Sequence, residues 1–163
     1  VTVVRGTPLL VQLFLLFFGL PQLGVQLPAF LCAVIGLSAY SAAYVSEVVR
    51  GAIQSIDRGQ MEAARSLGMS YRGAMRDIIV PQALIRMVPP LGNEVVALIK
   101  NSALVSLLTI HDLMFEGNAI ISVTYRSLEV YLAIAGIYLV LTLTAGHALQ
   151  RAERALLRRG HLA

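Results

Sequence analysis

The stretch that decides the fold runs from Gly6 to Ser46, GTPLLVQLFLLFFGLPQLGVQLPAFLCAVIGLSAYSAAYVS, 41 residues without one Asp, Glu, Lys or Arg. A bilayer core takes about 20 apolar residues per helix, so two crossings fit there. Pro and Gly cluster between Pro21 and Pro28 and mark the loop that divides them. The spans expected are therefore residues 7–20, which is short, and residues 28–49. The second carries Ser38, Ala42 and Ser46 at four-residue spacing, with Ala39 and Ala43 alongside. Such a small-residue face predicts close approach by another helix, hence a bundle.

The rest of the chain reads the same way. Over 163 residues, 57% are hydrophobic and 13% charged, with mean hydropathy +0.74, whereas soluble domains carry roughly a quarter charged residues. Further apolar runs over residues 88–110 and 130–150 complete four expected spans in one transmembrane domain covering residues 1–163. The fold class is an all-α, polytopic helical bundle. A single Cys, Cys32, cannot pair within the chain, so neither a disulfide scaffold nor a redox compartment can be read from it. The sequence opens without an initiator Met or a cleavable signal pattern, and at least one further upstream span is expected.

Charge gives the orientation. If the spans alternate, Arg5, Arg50, Arg58, Arg65, Arg72, Arg76, Arg86, Arg151, Arg154, Arg158 and Arg159 share one side, eleven of the 13 Lys and Arg residues. Arg126 stands alone on the other, and Lys100 lies inside a span. The positive-inside rule puts the Arg-rich side, including residues 51–86, in the cytoplasm. The terminal Arg151 to Arg159 run reads as an anchor at anionic lipid headgroups. Although the net charge is +4, the cations sit at the ends of apolar segments and form no nucleic-acid-binding face.

The third span barely inserts. It carries Asn93, Glu94, Lys100 and Asn101 among about ten aliphatic residues that supply on the order of 3 to 6 kcal/mol, while each central charge costs roughly 2.5 to 3.5. Asn93 with Lys100, and Glu94 with Asn101, lie seven residues apart and nearly eclipse on a helix. One polar stripe is expected, which either lines a passage or is neutralised structurally. Glu47, at the cytoplasmic end of the second span, is a further candidate for that passage; Arg50, three residues on, could equally pair with it.

Residues 51–81 are too long for a tight connection and contain two short helical patterns. Asp57 can cap a helix running to Leu67, with Gln60 placed to reach back, and Gly68 suits a left-handed stop. A second helix is expected to begin at Ser70 and end before Pro81. Leu67, Met69 and Tyr71 cluster at the bend inside an otherwise polar segment, and need cover from the bundle or from a cytosolic partner.

Within that segment stand Glu62-Ala63-Ala64, then Gly68, Ile78 and Val80-Pro81. This spacing resembles the EAA loop of permease subunits of ATP-binding-cassette importers, with Val80 where the family usually has Leu. Arg5-Gly6-Thr7-Pro8, Ser41-Ala42-Ala43-Tyr44, Pro81-Gln82-Ala83, Pro89-Pro90-Leu91-Gly92-Asn93-Glu94 and Lys100-Asn101-Ser102 resemble the polar amino acid branch. The resemblance implies five spans, a multi-pass position in a bacterial cytoplasmic (inner) membrane, and a pair of permease subunits, identical or homologous. It also implies two cytosolic ATPase copies, which hydrolyse the ATP, and an extracytoplasmic binding protein. Glu62, Ala63, Ala64, Leu67, Gly68, Met69 and Pro81 would belong to the ATPase-coupling element. Glu47, Asn93, Glu94, Lys100 and Asn101 would belong to the passage.

Two other readings use the same groups: a secondary transporter driven by an ion gradient through Glu94 and Lys100, and an intramembrane enzyme. Neither needs a basic double-helix segment of that spacing. No nucleophile elbow or triad spacing accompanies the Ser, His and Asp residues. His111-Asp112 lacks further metal ligands and reads as an outward helix cap, and His147 as an interface residue. No directly bound cofactor or metal is expected.

Overall fold

The computed structural model describes residues 1–160, with side chains through Arg154; the side chains of Arg158 and Arg159 lie outside it. Among the described residues the chain is all helical. A short amphipathic turn α1 (Thr2–Gly6) leads through Thr7-Pro8 into α2 (Leu9–Gln22). Then come α3 (Ala29–Gln54), α4 (Arg58–Ser66), α5 (Tyr71–Leu108), α6 (Leu113–Thr124) and α7 (Ser127–Gly160). Three of these, α3, α5 and α7, are long and apolar enough to cross a membrane.

The ends differ from those the sequence suggests. The first expected span begins at Leu9 and passes Pro21, but α2 is only roughly 20 Å long at 1.5 Å per residue, short of a bilayer core of about 30 Å. The larger correction concerns the helix that begins after Ser70, which does not stop before Pro81. It begins at Tyr71, runs through Pro81, Pro89 and Pro90, and is continuous with the third span. A π-turn over Met75–Ile79 makes this possible: the Val80 N–H reaches back five residues to the Met75 carbonyl just before the proline. Proline lacks an N–H and clashes with the carbonyl four residues back, and a widened turn accommodates both defects. The same device recurs at Leu15–Gly19, where the Leu20 N–H bonds the Leu15 carbonyl immediately before Pro21. In each case a Gln follows, and Gln82 donates its side-chain amide to the Ile78 carbonyl at 2.9 Å.

Packing follows a different face of α3 from the one expected. Ser38, Ala39, Ala42 and Ser46 are exposed, whereas Cys32, Ala33, Gly36 and Ala43 are buried. The reason is shape complementarity with α2: a Cβ at Gly36 would come within 2.5 Å of Leu13 Cδ2, so the α2 leucines occupy that notch. Leu9, Leu13, Cys32 and Leu108 form one core cluster there. A second, Ala52, Ile56, Ile79, Ala83 and Met87, joins the end of α3 to the start of α5.

The cationic ends gather as the charge pattern requires. Arg5 reaches Glu47 at 3.1 Å, Arg50 bonds the same carboxylate, and Arg86 bonds the Ser55 carbonyl and hydroxyl. Gly92 lies against Leu149, which brings the later part of α7 to that end as well. Arg126 stands at the opposite end, where α6 and α7 form an antiparallel hairpin. Gly117 meets Ile134 and Val130, and Tyr131 donates its hydroxyl hydrogen to Asn118 at 3.0 Å.

Candidate functional site

Local hydrogen bonds build the bend at Gly68. Asp57 Oδ1 accepts from the Gly59 N–H at 2.7 Å and caps α4, while Gln60 closes the same turn through its main chain, donating to the Asp57 carbonyl at 3.1 Å. Four N–H groups at a helix start lack partners, and this cap supplies one. At the other end Gly68 adopts φ +85°, with its N–H on the Arg65 carbonyl and the Met69 N–H on the Ala64 carbonyl, at 3.0 and 3.1 Å. That pair of bonds is a Schellman stop, and its left-handed residue is a position glycine occupies without Cβ strain. Ser70 Oγ then accepts from the Gly73 N–H at 3.1 Å and starts α5.

The bend presents apolar side chains outward. Leu67 is 85% exposed and Tyr71 56%, with Met69 half-buried between them. Glu62 and Ala63 are exposed, and Ala64 is buried against the chain. Pro81 is exposed and lies beyond the bend, past the π-turn. A cleft of about 460 Å³ opens beside α4, lined by Ile53, Asp57, Arg58, Met61, Tyr71 and Met75.

The polar residues of the third span do not share one surroundings. Asn93 and Lys100 are exposed, and Asn93 lines a cavity of about 440 Å³ between α5 and α7 with Pro89, Gly146, Leu149 and Gln150. Glu94 and Asn101 are half-buried, and Glu94 Oε1 is enclosed with no hydrogen-bond partner among the described residues. On α3 the Tyr40 ring lies 4.6 Å from that of Tyr44. Those two hydroxyls at four-residue spacing were a legible signal that went unused. Glu47 is committed to Arg5 and Arg50, with the Arg5 guanidinium also 5.3 Å from the Tyr44 ring centroid.

A second polar group lies beyond the end of α5, at the start of α6. Asp112 Oδ1 accepts from the Phe115 N–H at 2.8 Å and caps α6, while its Oδ2 is enclosed without a partner among the described residues. His111 Nδ1 lies 2.8 Å from Glu116 Oε1. No group of three or more His, Cys, Asp or Glu residues suited to a metal occurs among the described residues.

Residues 1–158 match the family of binding-protein-dependent transport system inner membrane components. The chain is 42% identical to the probable glutamine ABC transporter permease protein GlnM of Bacillus subtilis, over 86% of this chain and 65% of that protein. It is 45% identical to the arginine transport system permease protein ArtQ of the same organism, over 87% and 65%. The chain thus spans just under two thirds of the length of these relatives. A crystal structure of an amino acid ABC transporter with histidines superposes with a TM-score of 0.88 at 50% identity, covering 94% of this chain and 72% of that one. Nothing in this set favours the gradient-driven alternative, and Glu94 and Lys100 differ in exposure and form no ion pair among the described residues. The all-helical bundle, the capped bend at Gly68 and these matches lead to one assignment: the chain belongs to the binding-protein-dependent transport system inner membrane component family.

Proposed function

We propose that this chain is part of a permease subunit that carries polar amino acids inward across a bacterial inner membrane, powered by ATP hydrolysed on a separate cytosolic ATPase. The observation that carries this reading is the bend at Gly68. Two capped helices meet there at a rigid glycine stop, and Leu67 and Tyr71 project from it into the space where an ATPase groove would receive them. An exposed apolar knob between arginines is costly in isolation and useful as a docking element. The partners this requires are the ATPase, a second permease subunit and an extracytoplasmic binding protein. The chain itself contributes no ATPase site, cofactor or metal.

Glu94 and Asn101 are the passage residues we favour, since they are the half-buried members of the stripe. A carboxylate can hold a substrate ammonium, and an amide N–H a substrate carboxylate. The named relatives are a probable glutamine permease and an arginine transport permease, which supports polar amino acids as the substrate class.

Uptake into proteoliposomes holding the full transporter tests the drive. ATP inside the coupled assembly should support uptake with no ion gradient, and uptake powered by a gradient alone would overturn the proposal. Topology is checked separately by a single Cys at Gln22, which should react with an impermeant reagent from outside, and one at Gly160, which should not.

A further inference from the structure

At the end of the molecule opposite the arginine cluster, α6 and α7 enclose a groove of about 350 Å³. Its walls are Gly117, Ile120, Val130, Ala133, Ile134 and Ile137, and carbon makes up nearly all of its surface. Glu116 borders it too, but its carboxylate is turned to His111 and leaves methylenes toward the groove. From Arg126 at the rim to Ile137 at the far end the groove follows α7 for roughly 16 Å at 1.5 Å per residue, enough for much of an extended acyl chain.

The rim differs in kind from the walls. Arg126 and Glu129 border the mouth, both are exposed, and neither forms an ion pair among the described residues. Around them Val123, Tyr125 and Leu128 are 79%, 88% and 70% exposed, and Tyr131 is 44% exposed. Aromatic residues gather where hydrocarbon meets headgroups, so this rim sits at the level of the outer headgroups and the groove descends from it. A guanidinium is the preferred partner of a phosphate, and a carboxylate can accept a hydrogen bond from a primary ammonium.

We propose that the α6–α7 groove is a binding site for a phospholipid with an aminoethyl phosphate headgroup, its acyl chain in the groove, its phosphate on Arg126 and its ammonium on Glu129. A purely anionic lipid would satisfy Arg126 but be repelled by Glu129. A choline headgroup carries the cation but no N–H to donate. The site rests on the orientation of the bundle and is independent of what the passage carries.

The test offers the purified protein equal mole fractions of phosphatidylethanolamine, phosphatidylcholine and phosphatidylglycerol with identical acyl chains, and reads retained lipid by native mass spectrometry. Phosphatidylethanolamine should be enriched at least about threefold over both others, a modest margin expected for one added charge contact at an exposed rim. Glu129→Gln should bring that ratio to parity, Arg126→Ala should lower retention of all three lipids together because each carries the phosphate, and Ala133→Trp, which fills the groove, should remove retention altogether. The rim residues are exposed, so their variants keep the test decisive even if Ala133→Trp does not fold. Equal retention of all three lipids, preference for phosphatidylglycerol, a phosphatidylethanolamine preference that survives Glu129→Gln, or retention unchanged by Arg126→Ala would overturn the assignment.

Discussion

The bend at Gly68 and the long apolar part of α5 are joined without a break, yet different physics holds each. Every hydrogen bond that shapes the bend closes within five residues: Asp57 to Gly59, Ala64 to Met69, Ser70 to Gly73. Along α5 the deciding contacts come from far away in sequence. Ala83 packs in a cluster with Ala52 and Ile56, Gly92 meets Leu149, and Leu108 is buried with Leu9, Leu13 and Cys32. A region built from local rules can expose its apolar residues and still keep its shape. A region built from tertiary contacts keeps its shape only while its buried face is filled.

That contrast predicts where substitutions act. Ala83 is fully buried, so Ala83→Leu forces its neighbours aside and should cost about 1 to 3 kcal/mol, read as a lower thermal midpoint in detergent. A midpoint within error of wild type would mean the α3–α5 contact is looser than described. Asp57→Ala removes one cap and should cost about 1 kcal/mol, confined to α4 and visible as faster hydrogen exchange there. Protection unchanged over Arg58–Ser66 would show that the cap contributes nothing.

Smaller effects on stability come with larger ones on transport. Leu67→Ala should alter stability by no more than about 0.5 kcal/mol, because the side chain is exposed, while lowering ATPase-coupled uptake. Loss of both together would move Leu67 from docking into the core. Glu94→Gln keeps the volume and removes a carboxylate whose Oε1 has no partner, so the fold should be undisturbed. Uptake across acidic, basic and neutral amino acids should fall or change its order. An unchanged panel would make Glu94 structural.

The same distinction explains what was legible in the sequence. Asp57, Gly68 and Ser70 could be assigned because caps and left-handed stops depend on residue identity within one turn. The helix was expected to end before Pro81, and it continues because the π-turn over Met75–Ile79 absorbs the proline, a feature with no residue signature of its own. The 3₁₀ stretch Ser102–Leu108 and its left-handed end at Thr109, φ 61°, have no local signal either, since Leu108 is drawn inward by distant partners. On α3 the small residues that pack within the chain are Cys32, Ala33, Gly36 and Ala43, because Leu13 decides which notch is used. The polar stripe on α5 follows from spacing alone; which members turn inward depends on α3 and α7.

The most direct test of the central claim is Gly68→Val in the assembled transporter. Glycine stands there at φ +85° with open space around its missing Cβ, so the substitution strains the backbone of the bend without a steric clash elsewhere. A branched residue in that conformation costs roughly 1 to 2 kcal/mol, spent locally on the bend. Membrane insertion should be normal, ATPase association should weaken, and uptake should fall together with hydrolysis stimulated by the binding protein. ATPase association and coupled hydrolysis at wild-type levels would contradict the account.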